Sequence, residues 1–238
     1  MQRSPARRAT LVAMHVAETF ASLQGEGILS GTPSFFIRSS GCNLRCRWCD
    51  TPYTSWLPEG TRRDVGELVR EAVASGLRHV VVTGGEPLLQ RSIAPLTKAL
   101  KGEGLHVTVE TAGTVDPPFI CDLLSVSPKT SSSDPPGPWR ERHAATRSEL
   151  GPLRRLLDRF PEHQLKLVVV DGDDLPEILA LLESLGVVDR GRVLLMPEGR
   201  TVAEVAARAA EVAALCIQHG FRYTPRLQLD LFGGGRGV

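Results

Sequence analysis

The chain has 238 residues, of which 42% are hydrophobic and 23% charged, and its formal net charge is +1. That length suits one hydrophobic core with at most a small appendage. A near-neutral balance supplies no global field for a nucleic-acid or membrane partner, and no apolar run approaches the ~20 residues of a bilayer span.

In chain order, residues 1–13 are basic but carry no signal-peptide core or cleavage site. They read as a disordered leader, or as sequence upstream of a start at Met14, leaving 14–238 as the folded domain. "ETFASLQGEG" (18–27) offers an edge strand and a glycine-rich turn. "SFFIR" (34–38) is a short apolar strand, and "RDVGELVREAVASG" (63–76) has helical spacing and stops on Gly76. The β-branched "HVVVT" (79–83) leads into the turn "GGEP". A helix over 92–104, a strand over 106–111 and a strand within 120–129 follow. "KLVVV" (166–170), a helix over 174–186, "VLLM" (193–196) and a helix over 202–220 complete the series. Strands alternating with helices specify an α/β fold with a mostly parallel sheet. About six strands are too few for a closed eight-stranded barrel, so an open partial (β/α) barrel is expected. The Pro- and Ser-rich stretch 129–146 interrupts the alternation and reads as a surface excursion or mobile flap.

In such folds the reactive groups lie at the C-terminal ends of the strands. The run "SGCNLRCRWCDTPYT" (40–54) follows the 34–38 strand and holds Cys42, Cys46 and Cys49. With no mark of export, the expected compartment is the cytoplasm, where clustered cysteines serve metals or redox chemistry more often than disulfides. A structural zinc site needs a fourth ligand, which His143 or His163 would have to supply, although both sit in polar surroundings that read as solvated. A disulfide would strand one cysteine. Cys121 and Cys216 stand alone in apolar contexts and read as packed thiols. The remaining reading is a [4Fe–4S] cluster with three protein ligands, leaving one iron open to a small molecule.

The spacing C-x3-C-x2-C resembles that of radical S-adenosylmethionine (SAM) enzymes, and "TGGEP" (83–87) one strand–helix unit later strengthens the likeness. "ETFASLQGEG", "GTPSFFIRSSGCNLRCRWCDTPYT", "VVVTGGEPLLQ", "VTVETAGT", "VSPKTSSS" and "YTPRL" occur in order. Together they resemble the 7-carboxy-7-deazaguanine synthase family, from Met14 nearly to the end.

That resemblance implies a carbon–nitrogen lyase of queuosine and deazapurine biosynthesis. It would convert 6-carboxy-5,6,7,8-tetrahydropterin to 7-carboxy-7-deazaguanine with loss of ammonia. It implies that Cys42, Cys46 and Cys49 hold the cluster and that Thr51 contributes to a Mg2+ site. Leu23, Gln24, Gly25, Glu26, Arg38 and Thr83 would contact the pterin, with Arg38 on its carboxylate. Trp48, Gly85, Glu86, Ser127, Pro128 and Lys129 would surround SAM, with Glu86 on its amino group. Glu110 and Thr111 are further candidates for the same pocket. The family also implies an electron donor such as flavodoxin or ferredoxin, and a homodimer. Gln228 stands where many members carry histidine and Met196 where some carry glutamine, and neither receives a role. A radical-dependent activating enzyme acting on a partner protein would share the cysteine spacing without needing "LQGEG" or Thr51.

Overall fold

The computed structural model describes residues 12–187 and 189–238. The leader expected over 1–13 falls outside the described residues as far as residue 11, and Ala13 already belongs to a strand. In chain order the elements are β1 (Ala13–Leu23), β2 (Pro33–Ser39), α1 (Pro52–Ser55), β3 (Thr61–Asp64), α2 (Val65–Ala74) and β4 (His79–Gly84). Then come α3 (Ile93–Gly102), β5 (His106–Thr111), β6 (Leu123–Val126), α4 (Arg140–Ser148), α5 (Gly151–Arg159) and β7 (His163–Val169). The chain continues through α6 (Leu175–Ser184), β8 (Val193–Pro197), α7 (Val202–His219), β9 (Arg222–Tyr223) and α8 (Leu227–Phe232).

All strands join one sheet in the order β3-β1-β2-β4-β5-β6-β7-β8-β9. From β2 to β9 every pairing is parallel, and β1 pairs antiparallel with both β2 and β3. The ends of this order, β3 and β9, do not pair with each other, so the barrel is open as expected. The 18–27 segment is not an edge. Its strand runs from Ala13 to Leu23 and lies inside the sheet, because β3 supplies a partner that the sequence did not announce.

Side chains alternate across each strand. One set, including Ile37, Val80, Val82, Val107, Val109, Leu124, Leu165, Leu167 and Leu195, joins the apolar core. That core is closed by Leu68 of α2, Leu96 of α3, Leu156 of α5, Ile178 of α6 and Val212 of α7. The helix expected over 63–76 starts at Val65, where the Asp64 carboxylate accepts from the Glu67 amide. α7 opens on a capping box between Thr201 and Glu204 and closes on Gly220 with φ 71°. The stretch 129–146 is not a plain excursion. It holds two short 3-10 turns and most of α4, and it buries Thr130, Ser133 and His143.

Candidate active site

The strand faces turned away from the helices build a cavity of about 290 Å3. Phe36 and Arg38 of β2, Thr83 of β4, Glu110 of β5, Ser125 of β6, Lys166 and Val168 of β7, and Met196 of β8 all line it. Register sets their level: Arg38 pairs with Thr83 across β2 and β4, and Glu110 pairs with Ser125 across β5 and β6. Loops at the C-terminal strand ends close the mouth.

The loop after β2 brings Cys42, Cys46 and Cys49 to the cavity as free thiols. Burial, aided by the Glu86 carboxylate, pushes the Cys42 thiol up to about 12. Burial pushes Cys46 up to about 11, against the nearby Lys129. Thiols so placed are deprotonated by bound metal rather than by the protein. Cys42 Sγ accepts from the Leu44 amide at 3.4 Å, and Cys49 Sγ lies 3.2 Å from Ser55 Oγ. Among the described residues no three His, Cys, Asp or Glu side chains converge to hold a single ion. A cluster needs no such convergence, since each thiolate takes a different iron. The histidines of the zinc reading are engaged elsewhere: His143 with Arg45 and Ser133, His163 with the Phe160 carbonyl. His143 is 1% exposed, so the solvated reading does not hold for it; Ser133 and the Arg45 amide give it buried partners.

Deeper in, charged groups satisfy one another. Glu26 is bound by Lys166, by Arg226 at 3.3 Å and by Gln228 Nε2 at 2.7 Å. Burial alone would raise its carboxyl, but Lys166 and Arg226 bring it down to about 2. Burial opposes the charge on Lys166, yet Glu110 and Glu26 hold it protonated. Glu110 accepts from Gln24 Nε2 at 3.1 Å and from Thr83 Oγ1 at 2.7 Å. Arg226 also pairs with Asp50, which ties the far end of the chain to the residue after Cys49. Arg38 gives its Nε to Glu18 at 2.7 Å, and Glu18 also accepts from the Tyr53 hydroxyl at 2.6 Å. The remaining guanidinium donors suit a planar carboxylate.

The residues singled out from sequence all line this cavity except Glu86 and Pro128. Glu86 is fully buried, and its oxygens accept from Thr111 Oγ1 at 2.7 Å, the Ala112 amide at 2.9 Å and the Leu88 amide at 3.1 Å. It braces the "GGEP" turn against the end of β5. Thr51 Oγ1 lies 3.3 Å from Thr54 Oγ1 and caps no helix amide, although Thr51 precedes α1. Trp48 Nε1 donates to the Ser132 carbonyl at 3.0 Å, and Lys129 Nζ reaches Ser127 Oγ at 2.7 Å while lying 5.4 Å from the Trp48 ring centre. Sequence reasoning missed Lys166, Ser125, Asp50 and Arg226. Lys166 and Ser125 each interrupt an apolar strand at one alternating position, which was the available signal. Asp50 and Arg226 fall inside the quoted runs "CDTPYT" and "YTPRL", but nothing local showed that they pair with each other.

The radical SAM superfamily model matches residues 36–185. A 7-carboxy-7-deazaguanine synthase of Rhodopirellula baltica is 44% identical over 235 residues, covering 97% of this chain and 91% of that protein. The chain belongs to the 7-carboxy-7-deazaguanine synthase family. A synthase of the same name from Halobacterium salinarum is 46% identical over 234 residues, covering 92% of this chain and 91% of its own. The crystal structure of QueE from Escherichia coli shares 26% identity at a TM-score of 0.63, covering 89% of this chain and 93% of that one. A structure of TYW1 with a lysine-pyruvate adduct bound shares the fold at a TM-score of 0.55 and 16% identity, over 78% of this chain and 73% of that one. Membership in a radical SAM synthase family brings a [4Fe–4S] cluster and SAM, and three free thiols on one cavity wall fit them. Among the described residues no helix is long and apolar enough to cross a membrane.

Proposed function

We propose that this cavity binds 6-carboxy-5,6,7,8-tetrahydropterin and that the protein converts it to 7-carboxy-7-deazaguanine with loss of ammonia. One observation carries the reading: three thiols and a buried set of amide, carboxylate and cationic groups line the same cavity. The cluster and SAM, when bound, supply the reducing chemistry that starts a radical rearrangement. The protein orients the reactants and keeps water out.

Cys42, Cys46 and Cys49 hold the cluster. Trp48, Gly85, Ser127 and Lys129 surround SAM, while Glu86 and Pro128 support that wall from behind. Leu23, Gln24, Gly25, Glu26 and Thr83 shape the pterin site. Gln24 and Glu110 offer a donor–acceptor edge matched to a 2-amino-4-oxo pyrimidine. Glu18 occupies one edge of the Arg38 guanidinium, so its outer N–H groups meet the substrate carboxylate. The Thr51 hydroxyl joins substrate oxygens and water around Mg2+, a hard ion that prefers oxygen and keeps several waters. A one-electron donor such as flavodoxin or ferredoxin delivers the electron, the enzyme works in the cytoplasm, and two copies form a homodimer.

Turnover of the carboxylated pterin by reduced, reconstituted protein tests the reading. Release of 7-carboxy-7-deazaguanine and ammonia is expected, and a protein that cleaves SAM but ignores this pterin would sink it. Thr51→Ala should lower turnover, leave cluster content and SAM binding near normal, and abolish any stimulation by Mg2+. Equal Mg2+ dependence in both proteins removes Thr51 from the metal site.

A further inference from the structure

The chemistry above leaves the segment 130–148 without a task, yet it grips the cysteine loop. Residues 42–50 form neither helix nor strand, so bonds from outside set their shape. The Arg45 amide donates to His143 Nδ1 at 3.0 Å, and the Arg47 amide donates to the Ser133 carbonyl at 2.9 Å. The Trp48 indole reaches the Ser132 carbonyl at 3.0 Å, and the Arg45 guanidinium lies 4.7 Å from the Trp139 ring centre. The segment is itself anchored. Thr130 Oγ1 donates to Asp174 at 3.2 Å, the Ser131 amide to Glu177 at 2.8 Å, and Arg147 bridges Asp134 at 2.7 Å and Glu177 at 2.8 Å.

His143 is the central grip. Ser133 Oγ donates to the Thr130 carbonyl at 2.6 Å, so toward His143 Nε2, at 2.9 Å, it accepts. Nε2 therefore carries the proton and Nδ1 presents a lone pair to the Arg45 amide. Burial favours the same neutral ring.

We infer that His143 is a positioning residue for the cluster: its Nδ1 holds the Arg45 amide, between Cys42 and Cys46, and so fixes how far apart the loop presents its thiols. The inference rests on the three-cysteine cluster. Without the acceptor, the Arg45 N–H is left unpaired and the loop relaxes to satisfy it.

Two amide variants separate this role from simple filling of space. In His143→Asn the side-chain oxygen sits near the place of Nδ1 and can still accept. In His143→Gln the amide reaches the place of Nε2 and leaves Nδ1 without a substitute. After anaerobic reconstitution, the Gln and Ala variants should release iron to a chelator about tenfold faster than wild type, while Asn should stay close to it. Uncoupled SAM cleavage should fall in the same order. Equal iron release from the Asn and Gln variants, at any rate, overturns the inference, as does an Ala variant that holds iron like wild type. Because Asn and Gln keep a polar group in the same buried space, the comparison stands even if Ala fails to fold. Wild-type protein that takes up no iron would instead overturn the cluster reading.

Discussion

Each of the five cysteines is a free thiol, but their surroundings divide them. Cys42, Cys46 and Cys49 line the cavity, whereas Cys216 and the half-buried Cys121 pack against the apolar core. Replacing any one of the first three by Ala should abolish iron binding and SAM cleavage together, because a second iron loses its protein ligand. Cys121→Ala and Cys216→Ala should keep their iron and show only a lower melting temperature. Iron analysis of the five variants decides the assignment. Arg38 gives a different kind of test. Its guanidinium is held by Glu18 from one side and lines the substrate cavity with the other. Arg38→Ala should raise the KM for the carboxylated pterin by at least about tenfold, near 1.4 kcal/mol of lost binding. It should also blunt discrimination against a pterin lacking the carboxylate, while SAM cleavage without substrate persists. An unchanged KM would place the carboxylate elsewhere.

Between elements, Gly85 shows how tightly the strand ends close on one another. A β-carbon there would fall against the carbonyl oxygens of Gly41, after β2, and of Thr54, in α1, the latter at 2.6 Å. The same backbone is already fastened, since the Gly41 amide donates to the Thr54 carbonyl at 2.8 Å and the Glu86 amide to the Gly41 carbonyl at 2.9 Å. Gly85→Ala must therefore part the cysteine loop from the "GGEP" turn. Thermal melting should register a loss of about 1–3 kcal/mol, and SAM affinity should fall with it. A stable variant that binds SAM normally would show that this junction yields easily. The elements themselves were largely readable. Apolar runs such as "HVVVT" and "KLVVV" announced buried parallel strands, and loop chemistry after each one located the rim. What escaped depended on partners distant in the chain. β3 reads "TRRD", with no apolar pattern, and forms because β1 offers it an antiparallel edge. α4 buries a histidine rather than an apolar stripe, so periodicity did not reveal it. The Glu26–Lys166–Arg226–Asp50 network joins four separate segments, and only the folded, curved sheet brings them together.

Across the whole molecule, buried ionisable groups in two places respond to acid differently. Within the sheet, at the N-terminal end of β4, His79 is buried between Ser34 Oγ at 2.6 Å and Thr108 Oγ1 at 2.8 Å. Ser34 Oγ already donates to the Thr32 carbonyl, so it accepts from His79 Nδ1–H, and Nε2 must accept from Thr108. A proton on Nε2 would break that arrangement. Burial, with His106 alongside, accordingly lowers the His79 pKa from 6.5 to about 4. Between those two values the unfolded chain binds the proton and the folded one does not. The contribution of His79 is thus whole above about pH 6.5, fades as pH falls, and is lost by about pH 4. Glu86 acts in the opposite sense, because burial raises its carboxyl. The comparison that isolates His79 is therefore between wild type and His79→Asn, which has no group titrating in this window. The drop in melting temperature from pH 7 to pH 5 should be smaller in the variant, and equal drops would remove His79 from the account. At the cavity, Glu26 stays ionised down to about 2, so its pairing with Lys166 and Arg226 survives the whole interval. If fold stability limits activity in mild acid, wild type should lose turnover irreversibly with its melting transition. Reversible loss in still-folded enzyme would instead assign the acid limb to a titrating group in the cavity.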